Sequence, residues 1–190
     1  MGIKRDYLLT AINDTQATIR AIDVKVAALL AAVLIPISKL GSIIYHLKRF
    51  TELSPNWIFC IFTILFLIAW ALTLIAFFRA IDGIDNPACH IVNANDRKGT
   101  FYGGGLYELG LWDVFFNRKE IKANKDPNTF SQSLPNNETE IENELAFEQM
   151  KLIYIREMKL NRLHWGYRFL LIWFILGIFI YFISNYFVSP

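Results

Sequence analysis

The amino-acid sequence predicts an all-α integral membrane protein with three transmembrane helices, a hairpin plus a C-terminal span, and a cytoplasmic, mainly helical segment between the second and third spans. Three observations predict it. Hydrophobic residues make up 54% of 190, more apolar surface than one soluble domain of that length buries. Three apolar runs each approach the roughly 20 residues needed to cross a bilayer. A stretch rich in Gly, Asn, Asp and Pro separates the second run from the third.

Residues 1–23 are predicted to form a cytoplasmic amphipathic helix. Leu8, Ile12, Thr15, Ile19 and Ile22 recur at helical spacing, while Asp6, Asn13, Gln16 and Arg20 fall opposite. This helix either packs on the soluble segment or lies at the headgroups. Residues 24–79 form a transmembrane hairpin, with helices over 24–47 and 57–78 joined by a turn holding Ser54-Pro55-Asn56. Residues 80–166 form the cytoplasmic segment, and 167–190 carry the third span, over 169–187. Lys4, Arg5, Arg20 and Lys25 precede the first span, Arg79 ends the second, and Arg162 and Arg168 approach the third. The positive-inside rule therefore places the N-terminus and residues 80–166 in the cytoplasm, against an opposing pull from Lys48 and Arg49. No cleavable signal or lipid anchor is expected at Met1-Gly2-Ile3.

The cytoplasmic segment has two parts. Residues 80–133 predict loops and one or two short helices. From Thr139 the pattern changes: Thr139-Glu140-Ile141-Glu142 has capping-box form, and no Pro or Gly follows until Gly166. One long helix is predicted to run from the cytoplasm into the third span, a rod able to carry a twist or tilt into the membrane.

Within the first span, Lys25, Ala28, Ala32, Pro36, Lys39, Ser42 and His46 share one face of a helix wound at 100° per residue. An ammonium exposed to lipid costs on the order of 3 kcal/mol, so Lys39 must face protein or water, or snorkel. Two readings stand side by side. The stripe lines a pore in an oligomer, with Pro36 and Gly41 loosening the helix, or its small residues pack helices together. Arg97, Lys98, Arg118, Lys119, Lys122 and Lys125, then Lys151, Arg156, Lys159 and Arg162, bind a phosphorylated ligand if the fold gathers them, and otherwise form solvated surface. Trp112, Phe115 and Phe116 offer stacking surfaces or core. The glycine run 103–105 lacks a Gly-Lys-Ser/Thr ending and predicts a tight turn, not a phosphate loop.

Catalytic constellations are lacking, and no enzyme activity, cofactor or metal is expected. His46, His90 and His164 fall in separate regions, Cys60 and Cys89 have no repeated spacing, and no Ser or Cys sits in a nucleophile-elbow context. A net charge of +2 names no partner by itself.

Asp23-Val24-Lys25 at the start of the first span, the two-helix hairpin, Phe101-Tyr102-Gly103, and Glu148-Gln149-Met150 leading through Arg156, Lys159 and Arg162 into a terminal span carry a resemblance. Over residues 14–180 the chain resembles the transmembrane effectors of Pycsar-type antiphage defence. It departs from their pattern at Val26, where that family often has Ala, and in its glycine triplet. Members of that family are paired with a nucleotidyltransferase or cyclase and compromise the bacterial inner membrane after infection. The resemblance implies a cytoplasmic segment that senses a nucleotide second messenger and membrane helices that open, causing abortive infection. Similar small effectors of Hailong systems work with opposite polarity: a short oligonucleotide holds the channel shut.

The expected function is a nucleotide-gated ion channel of antiphage defence, a homo-oligomer of four or more copies in the inner membrane. Two alternatives remain at this point. The same channel is held closed by an oligonucleotide and opens on its loss, or the chain is a membrane-anchored protein that recruits a partner nucleotidyltransferase.

Overall fold

A computed structural model describes residues 2–52, 57–84, 87–92, 106 and 123–186. Among these the chain is helical without strands: α1 (Ile3–Leu34), a 3-10 segment (Ile35–Lys39), α2 (Leu40–Glu52), α3 (Trp57–Ile81), a 3-10 turn (Pro87–His90), α4 (Pro127–Gln132) and α5 (Glu138–Tyr186). Three helical runs are long and apolar enough to cross a membrane, Ile3–Thr51, Trp57–Ile81 and Glu138–Asn185. The chain is an all-α membrane protein, as its sequence predicts.

The helix boundaries follow from where Pro and Gly fall. The amphipathic helix and the start of the first span are one element, because no Pro or Gly interrupts residues 3–34. The first span is in turn not one α-helix. Pro36 lacks the N–H that an α-helical bond needs, and the chain tightens to 3-10 over Ile35–Lys39 before α2 resumes.

Helix α5 is unbroken for 49 residues, as its sequence promised, but its cap lies two residues earlier than expected. Asn137 Oδ1 accepts from the Glu140 N–H at 2.8 Å, while the Glu140 carboxylate takes Asn137 Nδ2 and the Asn136 N–H. The capping box is therefore Asn137-x-x-Glu140, which satisfies the Glu140 N–H in the first turn and the Asn136 N–H just before it. The short α4 is capped by Asp126, which accepts from the N–H groups of Asn128 and Thr129.

The chain divides into two compact units, Met1–Ala17 with Asn86–Tyr154, and Thr18–Asp85 with Ile155–Pro190. In the first, Ile12 and Thr15 of α1 are buried, as are Leu145, Phe147 and Glu148 of α5. Lys4 pairs with Glu142 at 2.9 Å, and Gln149 donates to the Thr15 hydroxyl, which itself donates to the Ala11 carbonyl.

In the second unit two apolar clusters form the interior. Ile22, Val26, Leu30 and Val33 of α1 meet Phe77 and Ala80 of α3, with Leu163 and Leu170 of α5 against them. Phe50 of α2, Phe66 of α3 and Ile180 of α5 form the other. Two glycines let the helices approach. A Cβ at Gly166 would lie 2.5 Å from the Phe77 ring, and one at Gly177 would lie 3.2 Å from the Phe66 ring. The outward faces of α3 and α5, including Ile64, Ile68, Ile75, Ile172 and Ile175, are apolar and exposed, as suits helices whose solvent is lipid.

Candidate functional site

Among the described residues, polar and charged side chains set into the helices gather in three places. The first lies where α1, α3 and α5 meet in the second unit, hereafter the membrane unit, the first being the polar unit. Lys159 of α5 is 6% exposed, and its ammonium sits 2.5 Å from Asp23 Oδ1 of α1. One turn further along α5, Arg162 donates to the backbone carbonyl of Arg79 at the end of α3. A buried ammonium without a counter-charge is costly, so Asp23 and Lys159 hold α1 and α5 in a fixed register.

The second place is a lateral cleft of about 390 Å³ in the same unit. Pro36, Lys39, Ser42 and His46 form one wall, and Trp173, Gly177 and Tyr181 of α5 the other. His46 Nδ1 is 3.3 Å from Ser184 Oγ at the far end, and its ring lies beside Tyr181. The third place is in the polar unit. Glu148 is 1% exposed, with Lys151 Nζ 2.5 Å away and over the Phe147 ring. Burial pushes the Glu148 carboxyl above the usual range, the Lys151 ammonium opposes the shift, and the Glu144 charge adds to it. In the same unit His90 stacks on Tyr154, with ring centroids 4.4 Å apart.

The predicted stripe is split by the 3-10 segment. At 120° per residue instead of 100°, its five residues rotate α2 by about 100° relative to the continuation of α1 as an ideal α-helix. Lys25, Ala28 and Ala32 are exposed on α1, whereas Pro36, Lys39, Ser42 and His46 line the cleft with α5. The candidate basic residues each have a partner of their own. In the first unit Lys151 is engaged by Glu148, and in the second Arg156 is engaged by Glu157, Lys159 by Asp23 and Arg162 by a backbone carbonyl. Lys125 is exposed. Arg97, Lys98, Arg118, Lys119 and Lys122, the 100–105 glycine-rich run, Trp112, Phe115, Phe116 and the Ser54-Pro55-Asn56 turn lie outside the described residues.

The Asp23–Lys159 pair escapes a reading confined to single segments, although one signal pointed to it. Leu145, Glu148, Lys159, Gly166, Leu170, Gly177, Ile180 and Ser184 recur on one seam of α5, and a lysine on a seam of Gly and Leu needs an acid on its neighbour. No family model, curated protein or solved structure matches the chain.

Proposed function

We propose that this chain is a ligand-gated membrane effector of bacterial antiphage defence. In this reading a homo-oligomer of four or more copies lies in the inner membrane with its N-terminus in the cytoplasm. A nucleotide second messenger or short oligonucleotide, made by a paired nucleotidyltransferase or cyclase, binds the polar unit and changes the ion permeability of the spans. One observation carries this reading. α1 and α5 are single helices, each supplying residues to the polar unit and to the membrane unit, and Asp23 and Lys159 tie them together. In this reading α5 is the path by which ligand binding at residues 138–154 reaches 155–186.

The exposed face of Lys25, Ala28 and Ala32 supports the pore in this reading. Small side chains let neighbouring copies approach closely, and a basic residue is tolerated where copies or water cover it. Among the described residues, the carboxylates Asp23 in the second unit and Glu148 in the first are each engaged by a lysine.

The test is ion flux through liposomes holding the purified full-length chain, with cyclic nucleotides and with short oligodeoxynucleotides. Flux switched on by one of them supports a ligand-opened channel, and flux switched off supports the reverse polarity. A membrane that stays tight under every condition overturns the channel and favours an anchored protein that recruits its partner enzyme.

A further inference from the structure

We infer that the lateral cleft between the 3-10 segment and α5 is a binding site for a single acidic phospholipid, with an acyl chain in the cleft and the phosphate on Lys39. This inference is independent of whether the chain conducts ions.

The cleft exists because of two residues. Pro36 imposes the 3-10 winding that swings Lys39, Ser42 and His46 onto one wall. Gly177 leaves the other wall bare, where a larger side chain would press on Phe66. The volume of about 390 Å³ is in the range of small-molecule sites, and the walls are almost entirely carbon. Its lining belongs to the helical runs long and apolar enough to span a membrane, so the medium that meets it is lipid.

Charge selects among lipids. Lys39 is exposed, and it has no carboxylate partner among the described residues. An ammonium left in hydrocarbon is unfavourable, and a lipid phosphate removes that cost while its chain fills the groove. A zwitterionic headgroup brings its own cation and leaves the Lys39 charge uncompensated, whereas an acidic headgroup balances it. The Ser42 hydroxyl, on the same wall, is placed to donate to the headgroup oxygens.

The experiment is native mass spectrometry of the full chain in detergent with phosphatidylglycerol or phosphatidylcholine of identical acyl chains. The expected result is retention of phosphatidylglycerol over phosphatidylcholine by about fivefold. Lys39→Gln is expected to abolish that preference, lowering phosphatidylglycerol retention more than phosphatidylcholine retention, and Lys39→Arg to keep it. Ser42→Trp, which fills the cleft, should weaken both lipids. Circular dichroism of each variant checks that its helices are intact, and Lys39→Arg against Lys39→Gln compares a side chain that keeps the charge with one that lacks it. Three results overturn the proposal: equal retention of both lipids by the parent chain, an undiminished preference in Lys39→Gln, or displacement of the lipid by millimolar inorganic phosphate alone. Occupation of the cleft by a second copy would appear as oligomers that persist with no lipid retained, and would also overturn it.

Discussion

The Trp70 indole N–H of α3 donates a 3.2 Å hydrogen bond to the backbone carbonyl of Val33, three residues before Pro36, where the chain tightens to 3-10. In a 3-10 pattern that carbonyl would be met by residue 36, which is proline and has no N–H to give. An orphaned carbonyl among apolar side chains costs about 1–3 kcal/mol, so the break in the first span is stable because the second span supplies the missing donor. Trp70→Phe is therefore expected to lower stability by about 1–3 kcal/mol, read as the thermal midpoint of the helical signal in detergent. Adding Pro36→Ala restores the N–H, and the double variant is expected to recover most of the loss. Recovery of none of it would detach the Trp70 bond from the helix break.

Removing either member of the Asp23–Lys159 pair is expected to have unequal effects. Asp23 keeps 40% of its side chain exposed, whereas the Lys159 side chain keeps 7%. Asp23→Asn strands a buried ammonium and should cost about 3 kcal/mol. Lys159→Met strands a carboxylate that water already reaches and should cost about 1 kcal/mol. Equal midpoints for the two variants would contradict the geometry of the pair. If α1 and α5 move together in gating, Asp23→Asn is also the variant that should raise basal liposome leakage.

Two glycines in the membrane unit are expected to respond in opposite directions. Gly166→Ala drives a methyl group into the Phe77 ring, which is wholly buried, and should destabilise by about 1–3 kcal/mol. Gly41, in α2, has nothing within 4 Å of an added Cβ, so Gly41→Ala should stabilise by about 0.5–1 kcal/mol through helix propensity alone. The check is again the unfolding midpoint, and Phe77→Leu should partly rescue Gly166→Ala and leave Gly41→Ala unaffected.

The spans were legible from hydropathy, because lipid requires every backbone group to be satisfied within a helix, and the first half of α5 from the absence of Pro and Gly before Gly166. The 3-10 segment was only half visible. Pro36 marks a disturbance, but its form depends on whether another element can take up the freed carbonyl, and Trp70 lies 37 residues away. For the same reason the predicted stripe, laid out at a constant 100° per residue, is divided: Lys25, Ala28 and Ala32 are exposed on α1, while the other four line the cleft. The capping box was misplaced by two residues because Thr139 and Asn137 both lie three residues before an acidic side chain, and local pattern cannot rank them. Charge pairing across helices was the least legible of all: Lys159 reads as surface until Asp23 is known to face it.

The buried Glu148 predicts a pH dependence whose sign comes from its raised pKa. In the unfolded chain the carboxyl ionises near its ordinary value of 4.5, and in the folded chain it holds its proton to higher pH. Between the two, the native state binds more protons, so stability is fully present below 4.5 and falls as pH rises through the folded value. Glu148→Gln cannot ionise and should lose this slope. Thermal midpoints measured from pH 4 to pH 7.5 should therefore fall more steeply for the parent chain than for the variant. A variant whose profile parallels the parent's would assign the pH dependence to other groups.

On the proposed function, Lys25 sets the charge of the exposed α1 face at the start of the first span, with Ala28 and Ala32 following it at helical spacing. A ring of Lys25 ammonium groups in an oligomer repels cations locally, so Lys25→Glu should move the reversal potential of triggered flux toward that of cations. Ala32→Trp, two turns further along, should narrow the path and reduce flux without changing its selectivity. Both substitutions lie at exposed positions with open surroundings, and neither is expected to shift the unfolding midpoint by more than about 0.5 kcal/mol. Reversal potential and flux amplitude thus report on the face separately from folding. If Lys25→Glu leaves the reversal potential unchanged while Ala32→Trp leaves the flux unchanged, this face touches lipid and the ion path lies elsewhere in the oligomer.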